Sequence, residues 1–243
     1  MKHLLKKCIA EIIGTAVLVF VACGVAVVAS SAWWVATSLA FGLVIVAMAY
    51  SIGNVSGCHI NPAVSLAMAI RKEITWQEFG FYVLSQILGG FVGAILLGIC
   101  LRGSFDSLGG NVIQSAIASK VNLDGTMEYD AWSYIDAFLV ELFLTFIFVI
   151  AVLGVTDKKH HDGSHAGIVI GLVLALVHLF GLGFTGTSVN PARSIAPAIL
   201  QAIAGNTASL SQIWIWILAP FAGAALAAVC YSFLTEKKEY DAL

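Results

Sequence analysis

The feature that most constrains this chain is a long stretch near its N-terminus that carries no formal charge. Between Glu11 and Arg71 there is no Asp, Glu, Lys or Arg. Because a transmembrane helix needs about 20 apolar residues, this stretch accommodates two spans and a further apolar segment. Over the whole chain only 11% of the residues are charged and 60% are hydrophobic, whereas soluble domains carry about 25% charged residues. An integral membrane protein is therefore predicted.

The composition also argues against several other classes of protein. A net charge of -2 supplies no basic surface for nucleic acid, and the high hydrophobicity is incompatible with disorder. The five cysteines form an odd number in or beside apolar stretches, which implies no disulfide framework. No combination of nucleophile, base and metal ligands is evident, so we predict no enzyme activity, no cofactor and no metal site.

Hydropathy predicts an all-α membrane protein with six transmembrane helices. The first apolar run extends to about Ser30 and is interpreted as a retained span rather than a signal peptide, with a turn at Ser30 and Ser31 before the second span. The later spans are predicted at residues 79–101, 134–156, 166–184 and 212–234.

Lys and Arg residues predict the orientation of these spans. If six spans alternate, nine basic residues fall on one side and only Arg102 and Lys120 on the other. The positive-inside rule then places both termini in the cytoplasm, in a multi-pass protein of the cell membrane. The nine are Lys2, Lys6, Lys7, Arg71, Lys72, Lys158, Lys159, Lys237 and Lys238.

The chain contains an internal repeat. The segment at residues 59–70 matches the segment at 188–199, so that Asn61-Pro62-Ala63 recurs as Asn190-Pro191-Ala192 at a spacing of 129 residues. We therefore predict one domain over residues 1–243 that is built from two repeats, residues 1–120 and 130–243. Because each repeat holds three spans, the second must be inverted relative to the first.

Each Asn-Pro-Ala segment is predicted to begin a re-entrant half-helix. Asn is a favoured N-cap and Pro suits the first helical position. The apolar stretch at residues 62–70 ends at Arg71 and Lys72, and at about 1.5 Å per residue it covers about half of a 30 Å hydrocarbon core. Interrupted backbone at that depth is tolerated where it lines a water-filled cavity. The pair of segments therefore indicates a pore or a transport site.

Three further polar side chains lie in apolar surroundings. Arg193 has no counterpart in the first repeat, where Val64 stands, and a charge in a span is seldom without function. Taken alone, it could also serve a purely structural role. Glu11 and Glu141 lie near the starts of the first and fourth spans, and we assign them to bracing the two re-entrant loops by accepting backbone N–H groups. A proton-coupled carboxylate is the alternative.

The two Asn-Pro-Ala motifs, framed by an inverted repeat of six spans, resemble the signature loops of the aquaporin (major intrinsic protein) family. The resemblance covers nearly the whole chain. It implies an hourglass fold with one pore in each subunit of a homotetramer embedded in membrane lipid. It also implies a pore in which Asn61, Pro62, Ala63, Asn190, Pro191 and Ala192 orient water near the midplane.

The resemblance also implies a selectivity filter, formed by Phe41, His178, Thr187 and Arg193. This set resembles that of bacterial orthodox water channels, whereas glycerol facilitators tend to have glycine in place of the histidine. Ile217, where many water channels have an aromatic, and Cys58, where relatives often have glycine, depart from the pattern. We therefore expect a passive water channel, with an aquaglyceroporin-like channel for glycerol or other small neutral solutes as the alternative.

Other interpretations remain open at this point. A secondary transporter could use the same interrupted helices, and a structural junction protein would show negligible permeability. The loop histidines His160, His161 and His165 could bind a metal or sense pH, although a solvated loop is the simpler interpretation. The outer loop at residues 102–133 is long enough to form a lid or a vestibule, and the sequence does not distinguish the two.

Overall fold

The computed structural model describes residues 2–29, 34–157 and 164–235, and these fold into a helical bundle. The predicted turn at Ser30 and Ser31, the histidines His160 and His161, and the basic residues Lys158, Lys159, Lys237 and Lys238 lie outside the described residues. The helices are α1 (Lys2–Val17), α2 (Gly24–Val28), α3 (Trp34–Ser56), α4 (Pro62–Ile70), α5 (Trp76–Cys100), α6 (Ala131–Thr156), α7 (Ala166–Thr185), α8 (Pro191–Ile203), α9 (Ala208–Ser211) and α10 (Ile215–Thr235).

Six helical segments are long and apolar enough to cross a membrane, which confirms the predicted all-α membrane fold. They are His3–Val28, Trp34–Ser56, Trp76–Cys100, Ala131–Thr156, Ala166–Thr185 and Ile215–Thr235. The predicted limits of the last four spans differ from these by at most three residues, because hydropathy changes sharply at the ends of membrane helices. Within the described residues, the only strands are β1 (Lys120–Val121) and β2 (Met127–Glu128), which form a small hairpin in the outer loop.

The first span is not a uniform α-helix. A π-helical segment, Leu18–Cys23, joins α1 to α2, and both of its end residues are buried. Turns of this kind inside α-helices are rare and are frequent at functional sites. The corresponding helix of the second half, α6, is α-helical throughout, so the π-helical segment distinguishes the two halves.

The two short helices α4 and α8 begin where the Asn-Pro motifs predict. Asn61 and Asn190 are the N-caps, and in each helix the following Pro is the first residue. The helices have 9 and 13 residues, which at about 1.5 Å per residue is shorter than a membrane core of about 30 Å. Neither helix can therefore cross the membrane.

The extended segments that lead into α4 and α8 share an unusual backbone. Positive φ angles occur at Gly57, Cys58 and Ile60, and again 129 residues later in the second half, at Gly186, Thr187 and Val189. Non-glycine residues adopt this region at a cost and do so where the surrounding structure enforces it. The repetition is consistent with two copies of one loop design.

Glycines let the membrane helices approach closely. A Cβ atom added to Gly42 of α3 would lie 2.5 Å from the Gly171 carbonyl oxygen of α7, and the reverse substitution would meet Gly42 in the same way. These two glycines are equivalent positions of the sequence repeat, so the two halves meet backbone to backbone at their second spans.

The close approach of Gly42 and Gly171 predicts that a larger side chain at this position lowers the stability of the protein. Gly42→Ala should separate α3 from α7, because overpacking a closely packed interface costs about 1–3 kcal/mol. The melting temperature of the purified protein in detergent should fall clearly. Gly80→Ala on α5 is the matched control, since nothing lies within 4 Å of the added methyl group. Equal melting temperatures for the two variants would contradict the expectation.

The two ends of the bundle differ in their polar contacts. At one end, Lys7 pairs with Glu78 at 2.8 Å and Arg71 lies 3.9 Å from Asp157. At the other end, the outer loop folds over the bundle, and α6 begins with a capping box in which Ser133 donates its N–H to Asp130. That N–H holds the pKa of the Asp130 carboxyl below its usual range.

Candidate pore

The N-terminal tips of α4 and α8 meet in the middle of the molecule. Asn61 Nδ2 donates to the carbonyl oxygen of Val189 at 2.7 Å, and Asn190 Nδ2 donates to the carbonyl oxygen of Ile60 at 2.9 Å. Each half-helix is thus bound through its cap to the loop of the other half. The contacts are reciprocal, as the inverted repeat predicts.

Each cap asparagine also satisfies its own helix. The Oδ1 atom of Asn61 accepts the N–H of Ala63, and that of Asn190 accepts the N–H groups of Ala192 and Arg193. A carboxamide has two N–H hydrogens, and the cross-contact uses only one of them. Both asparagines line a central cavity, so the second hydrogen of each is available to a molecule in that cavity. The positive ends of two helix dipoles lie at the same point.

Glu11 binds the first re-entrant loop through hydrogen bonds. Its Oε1 atom accepts the Ser56 hydroxyl at 2.6 Å and the His59 N–H at 3.0 Å, and its Oε2 atom accepts the Ile60 N–H at 2.6 Å and Gln86 Nε2 at 2.7 Å. The carboxylate is fully buried. Four donors satisfy the carboxylate, so its oxygens have little remaining capacity to bind a substrate.

Glu141 makes the equivalent contacts in the second half. Its Oε1 atom accepts the Thr185 hydroxyl at 2.6 Å and the Ser188 N–H at 2.9 Å, and its Oε2 atom accepts the Val189 N–H at 2.8 Å. This carboxylate is also fully buried. Each carboxylate is satisfied by donors of its loop, which explains why a carboxylate is tolerated inside a membrane helix.

The central cavity is narrow. Its volume is about 10 Å³, close to the least that a cavity needs to hold one water molecule. Its wall combines apolar side chains with polar ones. The lining residues are Leu18, Phe41, Ile45, His59, Asn61, Phe148, Leu174, His178, Ser188, Asn190 and Arg193.

Three side chains from different elements converge at one end of this cavity. The rings of Phe41 and His178 stack with centroids 4.1 Å apart, and the Arg193 guanidinium lies 5.1 Å from the Phe41 centroid. All three side chains are almost fully buried. Rings on α3 and α7 therefore lie beside a cation on α8.

The hydrogen bonds of His178 and Arg193 determine which donor and acceptor groups remain free at this end of the cavity. His178 Nδ1 lies 2.9 Å from the Leu174 carbonyl oxygen, so Nδ1 carries the proton, and in the neutral imidazole Nε2 is an acceptor. Nε2 of His178 and Nε of Arg193 have no partner among the described residues. The cavity therefore presents an acceptor and a donor to a small polar molecule.

Arg193 is held by the outer loop. Its Nη1 atom donates to the Gly109 carbonyl oxygen and to Asn111 Oδ1, both at 2.7 Å. Neither partner is charged, so the guanidinium keeps its positive charge at the cavity wall. A fixed charge in surroundings of low dielectric repels cations more strongly than it would in water.

Thr187 and Ile217, which were singled out in the sequence, do not line the central cavity. Thr187 is fully buried, and a Cβ added to Gly181 of α7 would touch its hydroxyl, so this hydroxyl points into the helix packing. Ile217 is half-buried in α10 and is likewise absent from the cavity wall. The structure thus brings Phe41, His178 and Arg193 together at the cavity, whereas the Thr187 side chain lies outside the cavity wall.

Two wider cavities continue from the central one toward the Arg71 end of the bundle. The first shares Ile45, His59 and Phe148 with the central cavity and is also lined by Cys58. The second shares residues with the first and reaches Arg71. Their volumes are about 40 and 150 Å³, so the cavities become larger with distance from Phe41, His178 and Arg193.

Sequence reasoning missed two polar residues of this site. Gln86 lies in the middle of an apolar span and supports Glu11, and a lone amide in such a span is a signal that could have identified it. Asn111, which contacts Arg193, lies in the outer loop, where hydropathy and periodicity carry no information about tertiary contacts.

Several known proteins are similar to this chain in sequence. Residues 1–231 match the family model described as "Major intrinsic protein". "Glycerol uptake facilitator protein-like 6" of Lactiplantibacillus plantarum is 38% identical over 93% of this chain and 96% of its own length. "Aquaporin Z" of Bradyrhizobium diazoefficiens is 37% identical over 96% of this chain and 95% of its own.

A solved structure shows the same fold. The aquaglyceroporin from Plasmodium falciparum superposes with a TM-score of 0.78 at 24% identity and covers 94% of this chain and 95% of its own. This similarity supports the fold, and the family match assigns the chain to a family of channels rather than enzymes. The chain belongs to the major intrinsic protein family and is a multi-pass membrane channel.

Proposed function

We propose that this chain is a passive water channel that excludes glycerol, protons and ions. The narrow cavity beside Phe41, His178 and Arg193 carries the proposal, because it leaves room for about one water molecule. The channel would act in the cell membrane as a homotetramer, with both termini in the cytoplasm and without a cofactor. Water would follow the osmotic gradient.

The filter is proposed to select by size and by hydrogen bonding. A molecule at the narrow point loses most of its hydration, and the Arg193 donors and the His178 Nε2 acceptor can replace it for water. The stacked rings of Phe41 and His178 occupy the width that the larger, carbon-bearing glycerol would need. The first repeat has Val64 at the position equivalent to Arg193, so the filter would lie at one end of the pore only.

The meeting point of the half-helices is proposed to prevent proton conduction. The oxygen of a passing water would accept hydrogens from Asn61 and Asn190, so its own hydrogens would point away along the pore in both directions. This interrupts the continuous hydrogen-bond chain along which a proton would move. The two helix N-termini, each equivalent to about half a positive charge, add a barrier to cations.

Stopped-flow light scattering on proteoliposomes tests the proposal. Vesicles with the protein should shrink much faster than empty vesicles in both sucrose and glycerol, and should not re-swell quickly in glycerol. Rapid re-swelling would support the alternative, a channel for glycerol, which the 38% identity to a glycerol facilitator-like protein favours. Shrinkage no faster than in empty vesicles would overturn both and favour a structural role.

His178→Gly should admit glycerol. Removal of the imidazole widens the cavity beside Phe41, and discrimination by pocket size of about 1–3 kcal/mol corresponds to a 10- to 200-fold ratio. We therefore expect glycerol permeability to rise at least about tenfold, measured as re-swelling of vesicles. His165→Gly is the control, because His165 precedes α7 and its side chain caps no backbone N–H. Unchanged glycerol exclusion in the His178 variant would contradict the filter assignment.

A further inference from the structure

The position of Arg193 is determined by a loop that lies outside the membrane helices. Its Nη1 atom has two hydrogens, and the two acceptors at 2.7 Å, the Gly109 carbonyl oxygen and Asn111 Oδ1, are both in the outer loop. A guanidinium on a long side chain adopts many rotamers when it is free. The outer loop therefore determines the position of the Arg193 guanidinium relative to the cavity.

Asn111 connects three segments of the chain beside the cavity. Besides Arg193, its Oδ1 atom accepts the Ser194 hydroxyl at 2.8 Å, and its Nδ2 atom donates to the Gly186 carbonyl oxygen at 2.9 Å. The side chain is buried, with only 2% of its surface exposed. It thus joins the outer loop to the first turn of α8 and to the loop that precedes α8.

The loop that carries Asn111 is itself fixed on both sides. The N–H of Gly110 donates to Gln201 Oε1 and the N–H of Ile113 donates to Gln212 Oε1, each at 2.9 Å. On the inner side, a Cβ added to Gly109 would lie 3.0 Å from the Cβ of Cys23, the last residue of the π-helical segment. The asparagine is therefore presented to Arg193 by a rigid support.

We propose that Asn111 is a positioning residue that holds Arg193 against the pore wall and thereby sets the discrimination between water and glycerol. This inference rests on the proposed water-channel function. It assigns the outer loop a role in selectivity in addition to covering one end of the bundle. The side chain acts through Arg193, because the cavity wall includes Arg193 and does not include Asn111.

Asn111→Ala should relax the filter without removing its charge. The guanidinium would keep the Gly109 carbonyl and lose its second acceptor, so it would sample further positions. A hydrogen bond to a charged group contributes enough free energy to change an equilibrium about tenfold. We expect the ratio of glycerol to water permeability, measured on one vesicle preparation, to rise about tenfold.

Two variants separate this role from a purely structural one. Asn111→Asp keeps the acceptor for Arg193 and loses the donor to Gly186, so its permeability ratio should remain close to that of the unchanged protein. Asn122→Ala removes a partly buried asparagine of the same loop, whose amide donates to Thr126 and Glu128 rather than to the pore, and should leave the permeability ratio unchanged. An Asp variant as permeable to glycerol as the Ala variant would overturn the proposal.

A double substitution tests whether Asn111 acts through Arg193. In an Arg193→Val background, Asn111→Ala should add no further change in the permeability ratio. An equal effect in both backgrounds would overturn the proposal. If the alanine variant does not fold, Asn111→Ser takes its place with the same expectation, because its side chain is too short to reach the guanidinium.

Failure of this inference differs from failure of the proposed function. If the unchanged protein passes glycerol as freely as water, the water-channel proposal is wrong. If it excludes glycerol and Asn111→Ala excludes glycerol equally well, the water-channel proposal stands and the role of Asn111 is wrong.

Discussion

Glu141→Ala is expected to abolish folded, conducting protein. The substitution leaves the N–H groups of Ser188 and Val189 and the hydroxyl of Thr185 without their acceptor inside the membrane. Each unsatisfied buried group costs about 1–3 kcal/mol, so three of them remove a large part of the 5–15 kcal/mol that stabilises a typical protein. Asn190, which belongs to the same loop, would lose its defined position.

The measurement is the yield of monodisperse protein after detergent extraction, followed by water permeability in proteoliposomes. Asp136→Ala is the matched control, because Asp136 is an exposed carboxylate on the same helix and should have little effect. Glu141→Gln keeps one acceptor oxygen and should be intermediate. An alanine variant that is as stable and as permeable as the unchanged protein would show that the loop does not depend on this carboxylate.

Arg193→Val is expected to retain water conduction and to lose ion exclusion. The valine reproduces Val64, the equivalent residue of the first repeat. Among the residues that the structure describes, it removes the one formally charged side chain of the central cavity wall. A unit charge 4 Å from a cation contributes about 4 kcal/mol at an effective dielectric constant near 20, and about 1.4 kcal/mol corresponds to a tenfold change in rate. Even a partial loss of this barrier should raise cation or proton leakage at least about tenfold.

Leakage is measured with a pH-sensitive dye inside vesicles under an imposed potential, alongside stopped-flow water permeability. Lys120→Val is the control, because Lys120 is an exposed cation in the outer loop and is remote from the cavity. A variant that leaks no more than the unchanged protein would assign cation exclusion to the two half-helix ends alone. Glycerol permeability, which should also rise, is obtained from the same vesicles.

The parts of this structure that could be predicted are those that local chemistry determines. The spans follow from hydropathy, and α4 begins at Pro62 because Asn61 is a strong N-cap before a residue suited to the first helical turn. The buried carboxylates Glu11 and Glu141 were evident because a charge in an apolar span needs donors. Phe41, His178 and Arg193, which the family resemblance implied, do meet at one cavity.

The parts that could not be predicted depend on contacts between distant segments. The Thr187 hydroxyl points toward Gly181 because α7 packs against the loop. The sequence near Thr187 does not indicate this packing. Asn111 contacts a side chain 82 positions away. The π-helical segment at Leu18–Cys23 has no local breaker that would reveal it.

The reciprocal bonds from Asn61 to the carbonyl of Val189 and from Asn190 to that of Ile60 have a consequence for the history of the chain. Neither repeat can complete its own loop, since each takes an amide hydrogen from the other. A single ancestral copy would have needed a second, antiparallel copy in the same membrane to do so. On this argument, two separately expressed halves should pair in the same membrane, because each supplies the acceptor that the other's asparagine amide needs.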